Sequence, residues 1–450
     1  MTSFNLKAIA LIFFLLSPCL AGAQENSAKI DELLSAYAKL HQFNGTALVS
    51  KNGQVIYQKS FGYKNAATKE AITRNSIFQI GSLTKNFTAA LILKLAEQHK
   101  LSVEDTIGKY LPGFPRGGEI KIEHLLTHSS GLYEIFRSPA YLKDLNSREK
   151  VSPEKLISYF KNEPLDFRPG TAFSYCNSGY DLLGFIIEKV TGLSYGKAME
   201  SYILKPFKMD HSGFDFQSLS DPDKTIGYSY VSESKQRLAP SWNPYATYSS
   251  GALYSTVDDL KKWYQVLRKN QFISAKSFDE ATRDHISGYG YGWFIDSLKG
   301  KKIINHSGNV EGGTSCFIME PDNNISIILL NNLTTRKLEP IGNAVLAILL
   351  DAPYKVPQAK KPVVLDDEAL NTYVGKYNIS PTYQVSISRV KDQLYFQLND
   401  QKPVPMFAEK KDVFFLDDDD MEIRFKELSG NKMNEIKISQ GVSNKSGERL

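Results

Sequence analysis

The chain has 450 residues, 42% apolar, 12% aromatic and 23% charged, with 54 basic against 49 acidic side chains and a formal net charge of +5. These proportions suit a soluble globular protein and exclude intrinsic disorder, collagen and a multi-span membrane protein. Acids are mixed among the bases, which argues against the one-sided field of a nucleic-acid binder. At ~150 residues per domain the length fits about three folding units, or one large enzyme domain with an accessory module.

Residues 1–23 read as a secretory signal peptide. Lys7 is their only charge, an apolar run spans Ala8 to Leu16, and Ala21-Gly22-Ala23 is a small-x-small cleavage site. The apolar run is too short to cross a bilayer, and no later stretch approaches ~20 uninterrupted apolar residues. Cleavage after Ala23 and export to the periplasm or medium, with no transmembrane segment left, are therefore expected. A lipoprotein reading through Leu16-Ser17-Pro18-Cys19 fits less well, because proline stands beside the cysteine. Cys176 and Cys316 then remain, too few for a disulfide framework, and free, partly buried thiols are expected.

A short helix is expected over Lys29 to Leu40, then a β-hairpin from Gly45 to Tyr63. Thr46, Leu48 and Ser50 alternate there with Ala47 and Val49, and Asn52-Gly53 supplies the turn. Phe78-Gln79-Ile80-Gly81 leads into Ser82, where a helical pattern begins. Leu83, Phe87, Leu91 and Leu95 recur every four residues. Helices and loops dominate to about Asp210, including an amphipathic stretch from Asp181 to Val190 ended by Gly192. Strand signals return at Gly290 to Ile295, Lys302 to His306, Ser315 to Met319 and Ile325 to Leu330. This order suggests one mixed sheet built from both ends of the region, with a helical insert between them. After the lysine- and proline-containing stretch Val356 to Pro362, helical periodicity almost vanishes. Tyr383 to Val390, Leu394 to Leu398, Val413 to Leu416, Met421 to Phe425 and Asn434 to Ile438 suggest a small antiparallel barrel or sandwich. The acidic run Asp417 to Asp420 lacks the spaced ligands of a calcium loop and reads as a solvated turn.

Three residues apart at a helix start, Ser82 and Lys85 share a face. An amine there can take the serine proton if its pocket lowers the lysine pKa, and helix N–H groups can stabilise an oxyanion. The S-x-x-K spacing alone decides nothing, since it occurs at serines 82, 147, 152, 158, 194, 232, 388 and 429. Only Ser82 follows a strand-like run and precedes a strongly apolar helix. Gly192-Leu193-Ser194-Tyr195-Gly196 matches the G-x-S-x-G elbow but lacks the strand before it. Gly192 reads better as a helix stop and Ser194 as the next N-cap. Tyr175-Cys176-Asn177 lies in a loop before a helix. A buried tyrosine between cations can lose its proton below ~10 and act as base and acid, while asparagine can bind an amide. Tyr63-Lys64-Asn65 and His211-Ser212-Gly213 read as turns. His306-Ser307-Gly308 ends a strand before the turn Glu311-Gly312-Gly313, and Gly308 would let a substrate backbone approach the strand edge. His124 and His128 could pair on a metal, but the H-E-x-x-H order is not met and a structural role is expected.

Taken in order, Ser82-Leu83-Thr84-Lys85, Tyr175-Cys176-Asn177 and His306-Ser307-Gly308 resemble the three motifs of the serine β-lactamase and penicillin-binding-protein-like hydrolases. The branch is that of class C β-lactamases, DD-carboxypeptidases and D-aminopeptidases. Phe78 to Gly81, His124 to Gly131, Arg168-Pro169-Gly170 and Ser255 to Leu260 extend the resemblance over residues 40 to 335. The tail, opening on Tyr373-Val374-Gly375-Lys376-Tyr377, is similar to the lipocalin-like β-domain of many relatives. The resemblance implies an α/β fold, an antiparallel sheet flanked by helices with a helical subdomain, then a small antiparallel barrel. The organisation expected is a signal peptide at 1–23, a catalytic domain at 24–355, a linker at 356–366 and a β-domain at 367–450.

Carried over, Ser82 would be the nucleophile, Lys85 its activating neighbour and Tyr175 the general base that returns the proton to the leaving group. Asn177 would orient the substrate amide, and the N–H groups of Ser82 and Asn309 would form the oxyanion hole. No metal or cofactor is implied. His306 departs from the lysine of class C β-lactamases. Neutral at pH 7 with an ordinary pKa of ~6.5, it attracts a substrate carboxylate less well. The expectation is an exported serine hydrolase of small peptides or amides with D-residues, or of esters, on a small-molecule or short-peptide substrate that includes peptidoglycan fragments. A β-lactamase and a catalytically silent envelope binding protein are the alternatives.

Overall fold

A computed structural model describes residues 24–145, 151–240, 242, 244–335, 337–380, 383–399, 402–416, 421–429, 432–440 and 443–450. The expected signal peptide, 1–23, and the acidic run 417–420 lie outside the described residues. The chain divides into two compact units, one ending at Pro357 and one running Gln358–Leu450.

The first unit is built on six strands: β1 (Gly45–Lys51), β2 (Gln54–Ser60), β3 (Phe294–Leu298), β4 (Lys301–Val310), β5 (Gly313–Glu320) and β6 (Ile325–Asn331). Their spatial order is β3-β4-β5-β6-β1-β2. Leu48 pairs with Ile328 across β1 and β6, so the two ends of the unit meet in the sheet as expected. The sheet is not mixed, however: every pairing in it is antiparallel. Its central strands are buried on both faces. Ala47, Val49, Ile327 and Leu329 join one apolar cluster, while Leu48, Ile328 and Leu330 join the other. The alternation in β1 therefore marks two cores rather than a wet face, and its polar positions are paired internally. Thr46 Oγ1 lies 3.0 Å from Ser60 Oγ, and Ser50 Oγ lies 2.6 Å from Ser326 Oγ. Of the expected first late strand, residues 290–293 form a turn instead. Gly292 has φ 79°, and a Cβ there would lie 2.9 Å from the Lys85 carbonyl.

Five helices matter for the site and its frame: α1 (24–39), α2 (Thr84–Glu97), α3 (Asn177–Thr191), α4 (Val257–Arg268) and α5 (Leu338–Leu349). Helix α2 is buried from Thr84 to Leu93, so its four-residue repeat is one stripe of an almost wholly enclosed cylinder. Helix α3 is buried from Ser178 to Ile187, which corrects the expectation of an amphipathic stretch from Asp181 to Val190. Gly192 ends it in the left-handed region at φ 70°, as the sequence indicates. Ser194 occupies the N-cap of the next helix, but its side chain makes no capping hydrogen bond.

The second unit is a closed barrel of eight antiparallel strands in chain order. The strands are Gly375–Ser380, Tyr383–Val390, Gln393–Leu398, Val404–Lys410, Val413–Leu416, Met421–Ser429, Lys432–Gln440 and Ser443–Arg449. The first closes on the last through Tyr377 and Arg449. Val385, Phe396, Ile423, Phe425 and Ile436 fill the interior, joined by Leu370 and Tyr373 from the short helix Asp367–Tyr373. That helix begins on an N-cap: Asp366 accepts from Ala369 N at 2.8 Å. Lys360 pairs with Glu409 at 3.1 Å and Val363 N donates to Ala408 O at 2.8 Å, tying these residues to the barrel wall.

Candidate active site

Ser82 lies in the 3-10 turn Gly81–Leu83 that runs directly into α2. Two glycines make its setting possible. A Cβ at Gly81, where φ is 52°, would sit 2.7 Å from Asn309 N, and one at Gly308 would sit 1.9 Å from Ile80 O. No side chain fits between these backbones. The serine turn is thereby pressed against β4 at Gly308 and Asn309. Ser315 Oγ fixes the contact by donating to Ile80 O at 2.6 Å.

Lys85 is fully buried one turn on, and its Nζ has three partners. Ser82 Oγ lies at 2.9 Å, Asn177 Oδ1 at 2.8 Å and the Ser250 carbonyl at 2.8 Å. Burial is the main reason its pKa falls to about 7, against the opposing pull of Asp181 and Glu134. Asn177 Oδ1 and Ser250 O can only accept. An uncharged amine must therefore give its two hydrogens to them and turn its lone pair toward the Ser82 hydroxyl. The condition set by the sequence, a pocket that lowers the lysine pKa, is met.

The two acceptors are held from different directions. Asn177 opens α3, and Glu134 clamps it with both carboxylate oxygens. Asn177 N donates to Oε2 at 2.6 Å and Nδ2 donates to Oε1 at 3.0 Å, which leaves Oδ1 for Lys85. The Ser250 carbonyl comes from the helical segment Pro244–Gly251, broken by Tyr248 at φ 28° and ψ −126°. Beyond that break Ser249 O accepts from Thr88 Oγ1 at 2.8 Å, so two consecutive carbonyls point inward at α2.

Tyr175 corrects one expectation. Its phenol is pushed above the ordinary value, chiefly by burial, although the facing Ser82 hydroxyl pulls it down. The cation near it does not flank its oxygen: Lys85 Nζ sits over the ring face, 4.9 Å from the centroid. His306 supplies no second cation. His306 is 2% exposed and its pKa is pushed down to about 3, first by burial and then by Lys85. Its Nδ1–H donates to Ser307 O at 2.7 Å, and its Nε2 accepts from Tyr289 OH at 3.1 Å. Those partners fix one neutral tautomer.

The remaining sequence candidates disperse. His124 Nδ1 accepts from Lys121 N at 3.2 Å, whereas His128 Nδ1 accepts from Cys176 N at 3.0 Å, so the two rings serve different backbones. Asn65 Oδ1 accepts from Ala67 N at 3.1 Å, a turn contact. Ser212 Oγ bonds Asp259 at 2.9 Å. Cys176 and Cys316 are free and buried. Glu134, Ser250 and Asp181 were not singled out from sequence. Glu134 had a visible signal, a lone acid inside Tyr133-Glu134-Ile135-Phe136. The Ser250 carbonyl had none, because a backbone direction leaves no mark in composition.

Ser82, Tyr175, Asn177, His306 and Asn309 line a cleft of about 1080 Å³ that continues past Phe294 and Asp296 to Glu339 and Tyr354. This fold, with a helix-borne serine and lysine against the edge of an antiparallel sheet, is that of the β-lactamases and penicillin-binding proteins, a class of serine hydrolases. The chain belongs to the Beta-lactamase family, whose model matches residues 30–351. A second model, Domain of unknown function (DUF3471), matches residues 359–446. The chain is similar to Penicillin-binding protein 4* of Bacillus subtilis (strain 168), 30% identical over 428 residues, covering 89% of this chain and 94% of that protein. Among solved structures, the octameric penicillin-binding protein homologue from Pyrococcus abyssi matches with TM-score 0.66 and 27% identity, covering 93% of this chain and 99% of that one. A D-stereospecific amidohydrolase from Streptomyces sp. matches with TM-score 0.60 and 25% identity, over 68% of this chain and 94% of that one.

Proposed function

We propose that the protein is an exported serine hydrolase that works through an acyl-enzyme at Ser82 on small amides, D-residue peptides or esters. The observation that carries this reading is the placement of Lys85: buried, titrating at about 7, and 2.9 Å from Ser82 Oγ. The lysine lone pair takes the Ser82 proton as Oγ attacks the substrate carbonyl. The oxyanion that forms meets the N–H groups of Ser82 and Asn309. The Lys85 proton passes through the Tyr175 hydroxyl to the leaving amine or alkoxide. This role suits a phenol that stays protonated at rest, whereas a phenolate would not. Water then attacks the ester carbon, giving its proton back along the same path, and Ser82 is released.

The substrate class follows from charge. Besides the neutral His306, the acidic residues Asp296 and Glu339 line the cleft. This lining favours substrates without a carboxylate at that place and disfavours β-lactams. Similarity to a D-stereospecific amidohydrolase supports the same choice. The sequence of residues 1–23 supports export. The test is to react the protein with a fluorophosphonate and a fluorescent penicillin beside Ser82→Ala, then compare D-alanyl amide, ester and cephalosporin turnover. Labelling that depends on Ser82, with amide or ester turnover above cephalosporin turnover, is expected. Labelling that survives the substitution removes Ser82 as nucleophile, and rapid cephalosporin turnover makes the protein a β-lactamase.

A further inference from the structure

Asp181 has no part in the steps above, yet it is the most unusual acid in the described structure. It is 0% exposed, and neither carboxyl oxygen makes a hydrogen bond of good geometry, although Ser250 faces the group and favours its charged form. An isolated buried carboxylate is costly, so such a group calls for a physical reason. Its position gives one. Asp181 lies four residues after Asn177 on α3, hence on the same helix face, one turn deeper. Asn177 bonds Lys85 Nζ, and so does Ser250, whose neighbour Ser249 reaches the Asp181 main-chain oxygen at 3.4 Å. Asp181 thus stands one turn along α3 from the residue that holds Lys85, and the two buried groups share the Asn177 and Ser250 segments as neighbours.

We propose that Asp181 is a positioning residue that acts through Lys85, setting the pH at which the lysine becomes the free base that activates Ser82. This rests on the reading of Lys85 as that base. Burial drives both groups toward their neutral forms, and each draws the other toward its charged form. An ionised Asp181 holds Lys85 as ammonium, and a protonated Asp181 leaves it as amine. Other groups also face the pair. Glu134, Cys176, Tyr175 and Tyr180 stand near Lys85, and His128 and His306 respond to it as buried neutral imidazoles. Glu134 and Ser250 face Asp181 together with Lys85, and Asp181 in turn acts on the phenols of Tyr141, Tyr195 and Tyr248. Glu134 is committed to Asn177, which leaves Asp181 as the acid without a well-formed hydrogen bond.

The experiment compares the pH profile of the second-order rate of fluorophosphonate labelling in the full chain and in Asp181→Asn, which keeps the shape of the protonated acid. The acid limb is expected to move to lower pH by about one unit or more. A purely structural role would lower the plateau and leave the midpoint in place, and that result would overturn the proposal. Should Asp181→Asn fail to fold, Asp181→Ser serves in its place. The Lys85 side-chain carbon resonance, followed against pH in Ser82→Ala with and without the Asp181 change, must show the same downward shift. That titration needs no activity. An unlabelled wild type with a shifted lysine would sink the hydrolase reading alone, and an unshifted lysine would sink this one.

Discussion

The two units bury polar groups in opposite ways. In the barrel the interior tyrosines are satisfied: Tyr377 OH donates to Tyr373 O at 2.9 Å, and Tyr373 OH donates to Asp412 at 2.7 Å. The rest of that interior is aliphatic and aromatic. Around Ser82 the first unit encloses a lysine, an acid without a well-formed hydrogen bond and a histidine, His128, whose Nε2 has no partner. The first arrangement stabilises a fold. The second leaves groups whose protonation can change, which costs stability and is found where chemistry is done.

Substitutions can break this contrast, beginning with the largest effect. Lys85→Met should lower the Ser82 labelling rate about 10³-fold, since the amine that takes the proton is gone. Stopped-flow or gel-based labelling would measure it. Ile436→Ala, at 0% exposure in the barrel, should cost about 2–5 kcal/mol of that unit's stability and leave labelling unchanged. Denaturant melts beside labelling assays would show both. Glu134→Gln should slow labelling by about 10–100-fold, because one carboxylate oxygen that accepts from Asn177 becomes an amide. Tyr289→Phe removes the donor to His306 Nε2 and should change turnover by less than about tenfold. No titration of His306 is expected between pH 5 and 8, since its pKa is about 3.

The local elements were legible where periodicity and turn residues agree. The Asn52-Gly53 hairpin, the helix after Ser82 and the stop at Gly192 all stand as read. Barrel strands were missed where their residues hide the pattern. Ser443–Arg449 is wholly polar apart from its glycine, and Val404–Lys410 contains Pro405. The three motifs converge on one cleft, and Gly308 is needed there for the close approach of Ile80. What sequence could not give is direction. The inward Ser250 carbonyl, the orientation of Asn177 and the burial of Asp181 arise from segments far apart in the chain, and only the packed fold brings them to Lys85. The same holds for Tyr175. A tyrosine between cations suggested a lowered pKa, whereas burial raises it and Lys85 lies over the ring face rather than beside the oxygen.

The most direct test of the account is the pH dependence of Ser82 labelling in the unmodified chain. The base must be uncharged to act, so the rate should rise with pH around 7, where Lys85 titrates, and be absent in Ser82→Ala. A rate that is flat across that range, or that rises only where an ordinary lysine titrates at about 10, would contradict it.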